Sequence, residues 1–449
     1  MRRSQLIAAC VALAVVAGGG AVYVATGTAD YVPTAPTPTP APPRPAALPE
    51  LGAAAVPSKP GVTAALRRAL RDPALGGSVA GLVVDAGTGQ TLFDEGADSS
   101  IAPASTLKLL TAAAAIDSLG ADARLTTSVV RAGRTLYLVG GGDVTLSASA
   151  GRGYPPAASL VALARRTASA VAAVTGPLRL RYDVSAWRGQ QLAPGWNAGY
   201  FSGGDVSRLV PLEVDEGRLQ PDAPDRTTTP AAEAARLFAA ALHVRGVTVH
   251  GSPAPAVAPP AAVDVASVSS APLAALVQRL LTVSDNDLAE ALGRDVAAHE
   301  GEPATFAGAA AALTRRLVGL GVPMQGVHLY DASGLSHRDR LTPRALVAVL
   351  RLAATSGSRL AAVLEGLPVG AASGTLADRY RHGPARRAAG VVRAKTGTLA
   401  GVSALAGQVV DADGDLLLFA FVTDHASVPG PAEEALDRLA ARLARCGCP

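Results

Sequence analysis

The sequence predicts an α+β fold: an antiparallel sheet flanked by helices, with an all-helical lobe alongside. Three observations lead there. A strand pattern at 78–85 with a hairpin partner at 90–94 lies near the start of the globular part. Three more strand patterns, 390–395, 402–410 and 416–423, lie near its end. Helical patterns fill much of the stretch between, above all 272–355. Strands at both ends that share one sheet mean that the chain returns to complete a domain it began near Val62.

Arg2-Arg3 precede an uncharged run of twenty residues, Leu6 to Ala25. That length spans a bilayer. Gly27-Thr28-Ala29 also offers a small-residue cleavage site, so 1–31 is expected to be a signal peptide or a signal-anchor. A lipoprotein box at Ile7-Ala8-Ala9-Cys10 is rejected, because the apolar run follows the cysteine. Residues 32–61 form a Pro-rich linker, with ten prolines in 32–60. This is a semi-rigid spacer reaching roughly 90 Å at about 3.1 Å per residue. The rest of the chain is expected outside the cytoplasm, either secreted or anchored to the outer face of the cytoplasmic membrane.

The globular part opens with an amphipathic helix, 63–71, and the hairpin turning at Ala86-Gly87-Thr88-Gly89. A helix then starts at Pro103-Ala104-Ser105 and stops at Gly120. After Leu125 the pattern changes to short strands, among them Leu136 to Val139, with helical patches at 157–174 and 230–245. A Pro/Ala-rich break follows at 253–260. From Pro272 one helical region is expected to run through Ser284-Asp285-Asn286 to Ala298. Helices at 305–320 and 342–355 flank the loop Tyr330 to Ser336, and 431–445 reads as a terminal amphipathic helix. Cys446 and Cys448 are too few and too peripheral for a disulfide framework and are expected on a loose tail.

Composition narrows the function. Apolar residues make up 49 %, enough for a sizeable core, and net charge is only +4. No Lys/Arg block with interleaved aromatics occurs, so no nucleic-acid partner is expected. Of 40 basic residues only three are lysine: Lys59, Lys108 and Lys395. A lysine kept against such a drift to arginine belongs where arginine cannot serve. A general base must lose its proton, and guanidinium cannot.

Two of the three lysines fall in motifs. Ser105-Thr106-Leu107-Lys108 puts a hydroxyl and an amine three apart at a helix start, on one face. That suits a nucleophilic serine activated by a lysine base, although an N-cap serine and a solvated lysine have the same spacing. Lys395-Thr396-Gly397-Thr398 ends a predicted strand, where the lysine and threonines can bind a carboxylate and Gly397 lets a substrate backbone approach. Ser284-Asp285-Asn286 alone says little. Together, in this order and in an exported chain, they match the Ser-x-x-Lys, Ser-Asp-Asn, Lys-Thr-Gly set of penicillin-binding proteins and serine β-lactamases.

The chain thus resembles the D-alanyl-D-alanine carboxypeptidase/endopeptidase family, the low-molecular-mass class C penicillin-binding proteins, over nearly all of 62–425. Pro103 to Ala114, Gly140 to Leu146, Pro194-Gly195-Trp196, Asp331 to Ser336, Arg340 to Pro343 and Ala394 to Gly401 carry the likeness. Val144 stands where the family usually has proline, and Ala332 where it has glycine. The resemblance implies a β-lactamase/transpeptidase-like fold with an α/β insertion between the first two motifs. Peptidase parts are then expected at 62–125 and 266–449, and the insertion at 126–265. Ser105 and Ser284 are 179 positions apart, less than in the family's largest members, so a trimmed insertion is expected.

The resemblance also implies roles. Ser105 would be the nucleophile and Lys108 its base, with Ser284 and Lys395 relaying a proton and Asn286 orienting Lys108. Thr396 and Thr398 would hold the substrate's terminal carboxylate, with Gly397 beside them as the third substrate-binding residue. The implied partners are peptidoglycan stem peptides and β-lactams as covalent inhibitors; the N-terminal apolar segment itself adds a membrane if it stays uncleaved. No metal or organic cofactor is implied.

Rival readings have less support. Class A β-lactamases have a far shorter gap and a Glu-x-x-Leu-Asn loop, which is absent, as are Gly-x-Ser-x-Gly and His-Glu-x-x-His. Asp411 to Asp415 hints at a calcium loop, but Leu416 and Val422 stand where glycine and glutamate are needed, which leaves a hairpin turn. A weak β-lactamase and a catalytically silent wall-binding protein on the same fold are the alternatives to carry forward.

Overall fold

The computed structural model describes residues 56–449 apart from 77–78, 150–153, 221–222, 427 and 449. The expected leader and nearly all of the Pro-rich linker lie outside the described residues. Among the described residues, no helix is long and apolar enough to cross a membrane.

Helix α1 (Lys59–Arg67) comes first, and the hairpin β1 (Ala80–Asp85) and β2 (Thr91–Glu95) leads to α2 (Lys108–Leu119). Then follow β3 (Thr126–Ala132), β4 (Thr135–Val139), α3 (Leu160–Ala170), β5 (Arg179–Asp183), α4 (Gly199–Ser202), α5 (Pro230–His243), β6 (Ala254–Pro255) and β7 (Val263–Ser269). The helical run is α6 (Leu273–Thr282), α7 (Asn286–His299), α8 (Phe306–Gly319), α9 (Pro343–Ala354) and α10 (Ala361–Glu365). The chain closes with β8 (Arg393–Leu399), β9 (Val402–Val410), β10 (Leu416–Thr423) and α11 (Pro429–Leu443).

The α+β expectation holds. The first sheet has the order β2-β1-β10-β9-β8 and is antiparallel throughout, so strands from both ends of the chain share it. Strand β10 explains why it is buried on both faces. Successive side chains point to opposite faces. Leu417, Phe419 and Phe421 pack with Val62 and Leu66 of α1 and Leu436 and Leu439 of α11. Leu418, Ala420 and Val422 face the helical lobe, with Leu346 and Leu350 of α9. Each large side chain buried this way contributes about 1.5–3 kcal/mol. In that lobe α2 is nearly enclosed, and the run Ala112 to Ala115 lets α7 and α8 close around it. The second sheet, β6-β5-β4-β3-β7, is mixed: β4–β5 and β5–β6 are parallel, the other pairs antiparallel. Leu163 of α3 and Phe238 of α5 pack on Leu136 and Leu138.

Several expectations need correction. Helix α1 begins at Lys59, inside the stretch read as linker, because Ser58 caps it and Pro60 pre-sets its first turn. The helix read through Ser284-Asp285-Asn286 is two helices, with Ser284 between them at φ +60°. Lys395 to Thr398 lie within edge strand β8, not at a strand's end. The tail is not loose: Cys446 and Cys448 form a disulfide, Cys446 is buried in the α11 core, and Ser58 N donates to Cys448 O at 2.7 Å. Asp411 to Asp415 is the β9–β10 turn, Asp411 N donating to Asp415 O at 2.9 Å.

Candidate active site

Ser105 lies in a 3₁₀ turn, Ala104–Leu107, that leads into α2. Ala104 is held at φ +48°, a left-handed conformation that costs about 1–2 kcal/mol for a residue with a Cβ. Two glycines make room for it. A Cβ on Gly397 would meet Pro103 O at 2.8 Å and the Ala104 Cβ at 3.2 Å, and one on Gly334 would meet Ala104 O at 2.0 Å. Gly397 is therefore required by the chain's own close approach at the Ser105 turn, not by a substrate backbone alone.

Lys108 is fully buried one turn further on, and its Nζ makes three hydrogen bonds. They go to Ser105 Oγ at 2.9 Å, Asn286 Oδ1 at 2.6 Å and Ser333 O at 2.7 Å. Burial pulls its pKa down to about 8, against the opposing pull of the Asp331, Glu290, Asp285 and Asp287 charges. The amine is thus able to be neutral near physiological pH.

The Ser284 turn brings a second lysine into line. Lys395 Nζ donates to Ser284 Oγ at 2.9 Å and to Thr396 O at 2.8 Å. Burial, then the charges of Lys108 and Arg379, hold its pKa well below the usual lysine range. Asp285 caps α7 by accepting from Leu288 N at 3.0 Å, and Asn286 Nδ2 donates to Asp205 O at 2.8 Å. Thr396 Oγ1 lies 2.8 Å from Thr375 Oγ1. The eight residues singled out from the three motifs thus meet at one place, around a cleft of about 360 Å³ that Ser105, Ser284, Asn286, Thr396 and Thr398 line.

Other groups at this place lie outside the three motifs, some of them in the stretches that carry the family likeness. Asp331 accepts from Gly334 N and Ser336 N, each at 2.7 Å, and from Trp196 Nε1 at 2.8 Å. Glu290 Oε1 accepts from Ala332 N at 3.0 Å and Ser333 N at 2.8 Å, which aims Ser333 O at Lys108. Glu290 is one helical turn beyond Asn286, and that i,i+4 spacing was the available signal. Asn197, Tyr200 and Asp205 complete the cleft wall from the segment between β5 and α5, and no motif marks them.

Behind the Ser284 turn the carboxylates of Glu216, Asp285 and Asp287 converge within 4.8 Å, the one such group among the described residues. Arginines already occupy the space. Arg226 pairs with Asp287 at 3.0 Å, and Arg279 pairs with Asp285 at 3.0 Å and with Glu216. The donor set suits an ion-pair network that ties the Glu216 and Arg226 segment to α6 and α7.

The chain is similar to known proteins over most of its length. It is 40% identical to carboxypeptidase DacB of Mycolicibacterium smegmatis, covering all of this chain and 98% of the relative. It is 39% identical to carboxypeptidase Rv3627c of Mycobacterium tuberculosis, over 92% and 90% of the two chains. Among solved structures, penicillin binding protein 4 (dacB) of Haemophilus influenzae superposes with a TM-score of 0.71 at 20% identity, over 86% of this chain and 99% of that one. That protein has also been solved with a β-lactam. A family model described as D-Ala-D-Ala carboxypeptidase 3 (S13) matches residues 62–228 and 222–443, and the chain belongs to that family of serine-type carboxypeptidases.

Proposed function

We propose that this carboxypeptidase cleaves the D-Ala-D-Ala bond that ends peptidoglycan stem peptides through an acyl-enzyme on Ser105, and that β-lactams acylate the same serine. The observation that carries the proposal is Lys108 Nζ, 2.9 Å from Ser105 Oγ and depressed to a pKa of about 8. Neutral Lys108 takes the Ser105 proton as Oγ attacks the D-Ala carbonyl. The N–H groups of Ser105 and Thr398 stabilise the oxyanion. Ser284 protonates the leaving amine, its proton replaced through Lys395, which donates to it at 2.9 Å. Thr396 and Thr398 hold the terminal carboxylate, and Asn286 keeps Lys108 oriented at 2.6 Å. Water then releases the acyl group.

A cross-link that joins a D-Ala carbonyl to an amine of a second stem presents the same kind of bond, so DD-endopeptidase action belongs to the same proposal. The apolar run Leu6 to Ala25 after Arg2-Arg3 supports placing the reaction outside the cytoplasm, with anchoring to the membrane if that segment is kept. Intact-mass measurement after incubation with benzylpenicillin tests the core of it. Wild type gains one adduct and Ser105→Ala gains none; an adduct on Ser105→Ala, or none on wild type, overturns the assignment.

A further inference from the structure

Asn286 orients Lys108 only while its amide faces the right way. Its Oδ1 accepts from Lys108 Nζ at 2.6 Å, and its Nδ2 donates to Asp205 O at 2.8 Å. A flipped amide would turn its oxygen onto that carbonyl, an acceptor against an acceptor. The Asp205 carbonyl thus decides which atom of Asn286 meets Lys108. One buried arginine holds the chain on both sides of this contact. Arg226 Nη2 donates to Gly204 O at 2.9 Å, one residue before Asp205. Its Nη1 donates to Asp287 Oδ2 at 3.0 Å, one residue after Asn286, and also to Glu216 O. Asp287 Oδ1 in turn accepts from Ser207 N at 2.6 Å. The Arg226 and Asp287 side chains are only 2% exposed. Gly204 lies so close to the Arg226 segment that a Cβ on it would collide with Pro224 O. Arg279, the other arginine here, bonds Asp285 and Glu216 instead of the 204–207 turn.

We propose that Arg226 is a positioning residue for acylation: by pinning Gly204 and Asp287 to one guanidinium, it sets the Asp205 carbonyl that turns Asn286 Oδ1, and through it Lys108, toward Ser105. The planar fork suits this task, because its two arms reach two separate chain segments at once. Arg226 is not among the residues that line the cleft, so it acts through Asp205 and Asn286. The inference rests on the reading of Ser105 as the acylated serine and of Asn286 as the group that orients Lys108.

A double-mutant cycle on the limiting rate of acylation by a chromogenic β-lactam tests it, in wild type, Arg226→Met, Asn286→Ala and the two combined. Met keeps a buried apolar stem and loses both arms. Arg226→Met is expected to slow acylation by up to about 100-fold, the cost of a misplaced group near a reacting centre. In the Asn286→Ala background the same change should cost less than about twofold, since no amide is left to orient. A merely structural role would slow both backgrounds by the same factor, and equal factors overturn the inference. An Arg226→Met variant acylated at the wild-type rate, with Asn286→Ala slow, also overturns it. If Asn286→Ala itself acylates at the wild-type rate, the reading of Asn286 fails and takes the inference with it, while Ser105 stands. Absence of any adduct on wild type would sink the Ser105 reading and the inference together. Should Arg226→Met not fold, Arg226→Met combined with Asp287→Asn carries the same cycle. That pair removes the buried charge along with its partner and keeps an acceptor for Ser207 N.

Discussion

Ser284 Oγ accepts a hydrogen bond from Lys395 Nζ at 2.9 Å, and it reaches that position because Ser284 is held at φ +60° between α6 and α7. A helical Ser284 would continue α6 instead. The left-handed turn costs about 1–3 kcal/mol and is fixed by its neighbours. Asp285 caps α7, and Arg279 Nε holds the Asp285 carboxylate at 3.0 Å.

Replacing Ser284 should therefore separate stability from activity. Ser284→Gly is expected to gain about 1 kcal/mol, since glycine adopts this conformation freely. It should also lose turnover by about 10²–10⁴-fold, the usual worth of a positioned proton donor. Ser284→Ala should lose the same activity without the gain. Thermal unfolding and D-Ala release together check this, and a Ser284→Gly variant melting below Ser284→Ala would contradict it.

Lys108 sets the pH dependence of acylation. Its pKa lies below the ordinary value, at about 8, and only the neutral amine can accept the Ser105 proton. The acylation rate should rise with pH through about 8 and then level off. Lys108→Arg cannot be neutral, so acylation should fall by at least about 10²-fold and show no such rise. Stopped-flow acylation by a chromogenic β-lactam across pH 6–10 reads both effects.

How much of this was legible depended on where the signal lies. Strand β10 is an unbroken apolar run, Leu416 to Val422, and its position could be read directly. The break at Ser284 could not. No Gly or Pro stands between Leu273 and Asn286, and Leu280, Leu281 and Leu288 keep helical spacing across it. The three motifs were readable as strings because each needs its residue types side by side. Glu290 and Ser333 act across distance, 43 positions apart. Their meeting is set by packing, and the one local trace of Glu290's place is its i,i+4 spacing from Asn286. The Cys446–Cys448 pair is local, two positions apart, but its docking is not: Cys448 O accepts from Ser58 N at the far end of the domain's sequence, and nothing local shows that contact.

Glu290 shows what such a partner contributes. Burial, then repulsion from Asp331, pushes its carboxyl up to about 8. Its Oε1 nonetheless serves the N–H groups of Ala332 and Ser333. Glu290→Gln keeps that oxygen and should stay within about 1 kcal/mol of wild type. Glu290→Ala leaves the buried Ala332 N–H unpaired at about 1–3 kcal/mol, and leaves Ser333 N with only its 3.1 Å bond to Asp331 Oδ1. It should also slow acylation, because Ser333 O no longer aims at Lys108. Urea unfolding of the two variants, followed by their acylation rates, distinguishes them.

Asp295 should make stability fall as pH rises. It is buried on α7, with Oδ1 accepting from Trp187 Nε1 at 3.1 Å and Oδ2 without a partner in the described structure. Burial, opposed by the Trp187 bond and reinforced by the Asp143 charge, raises its pKa from 3.8 to about 7. The folded protein therefore keeps a proton that the unfolded chain has released. A group whose folded pKa is raised contributes stability that is complete below its unfolded pKa and is lost as pH rises through the folded one. Between about pH 4 and 7 this one residue should lower the unfolding free energy by at most about 1.4 kcal/mol per pH unit. Asp295→Asn keeps an acceptor for Trp187 and cannot titrate, so its stability should fall less steeply over that range. Urea melts of both proteins at pH 5, 6 and 7 check the slope. Equal slopes would mean that Asp295 is already ionised in the folded protein.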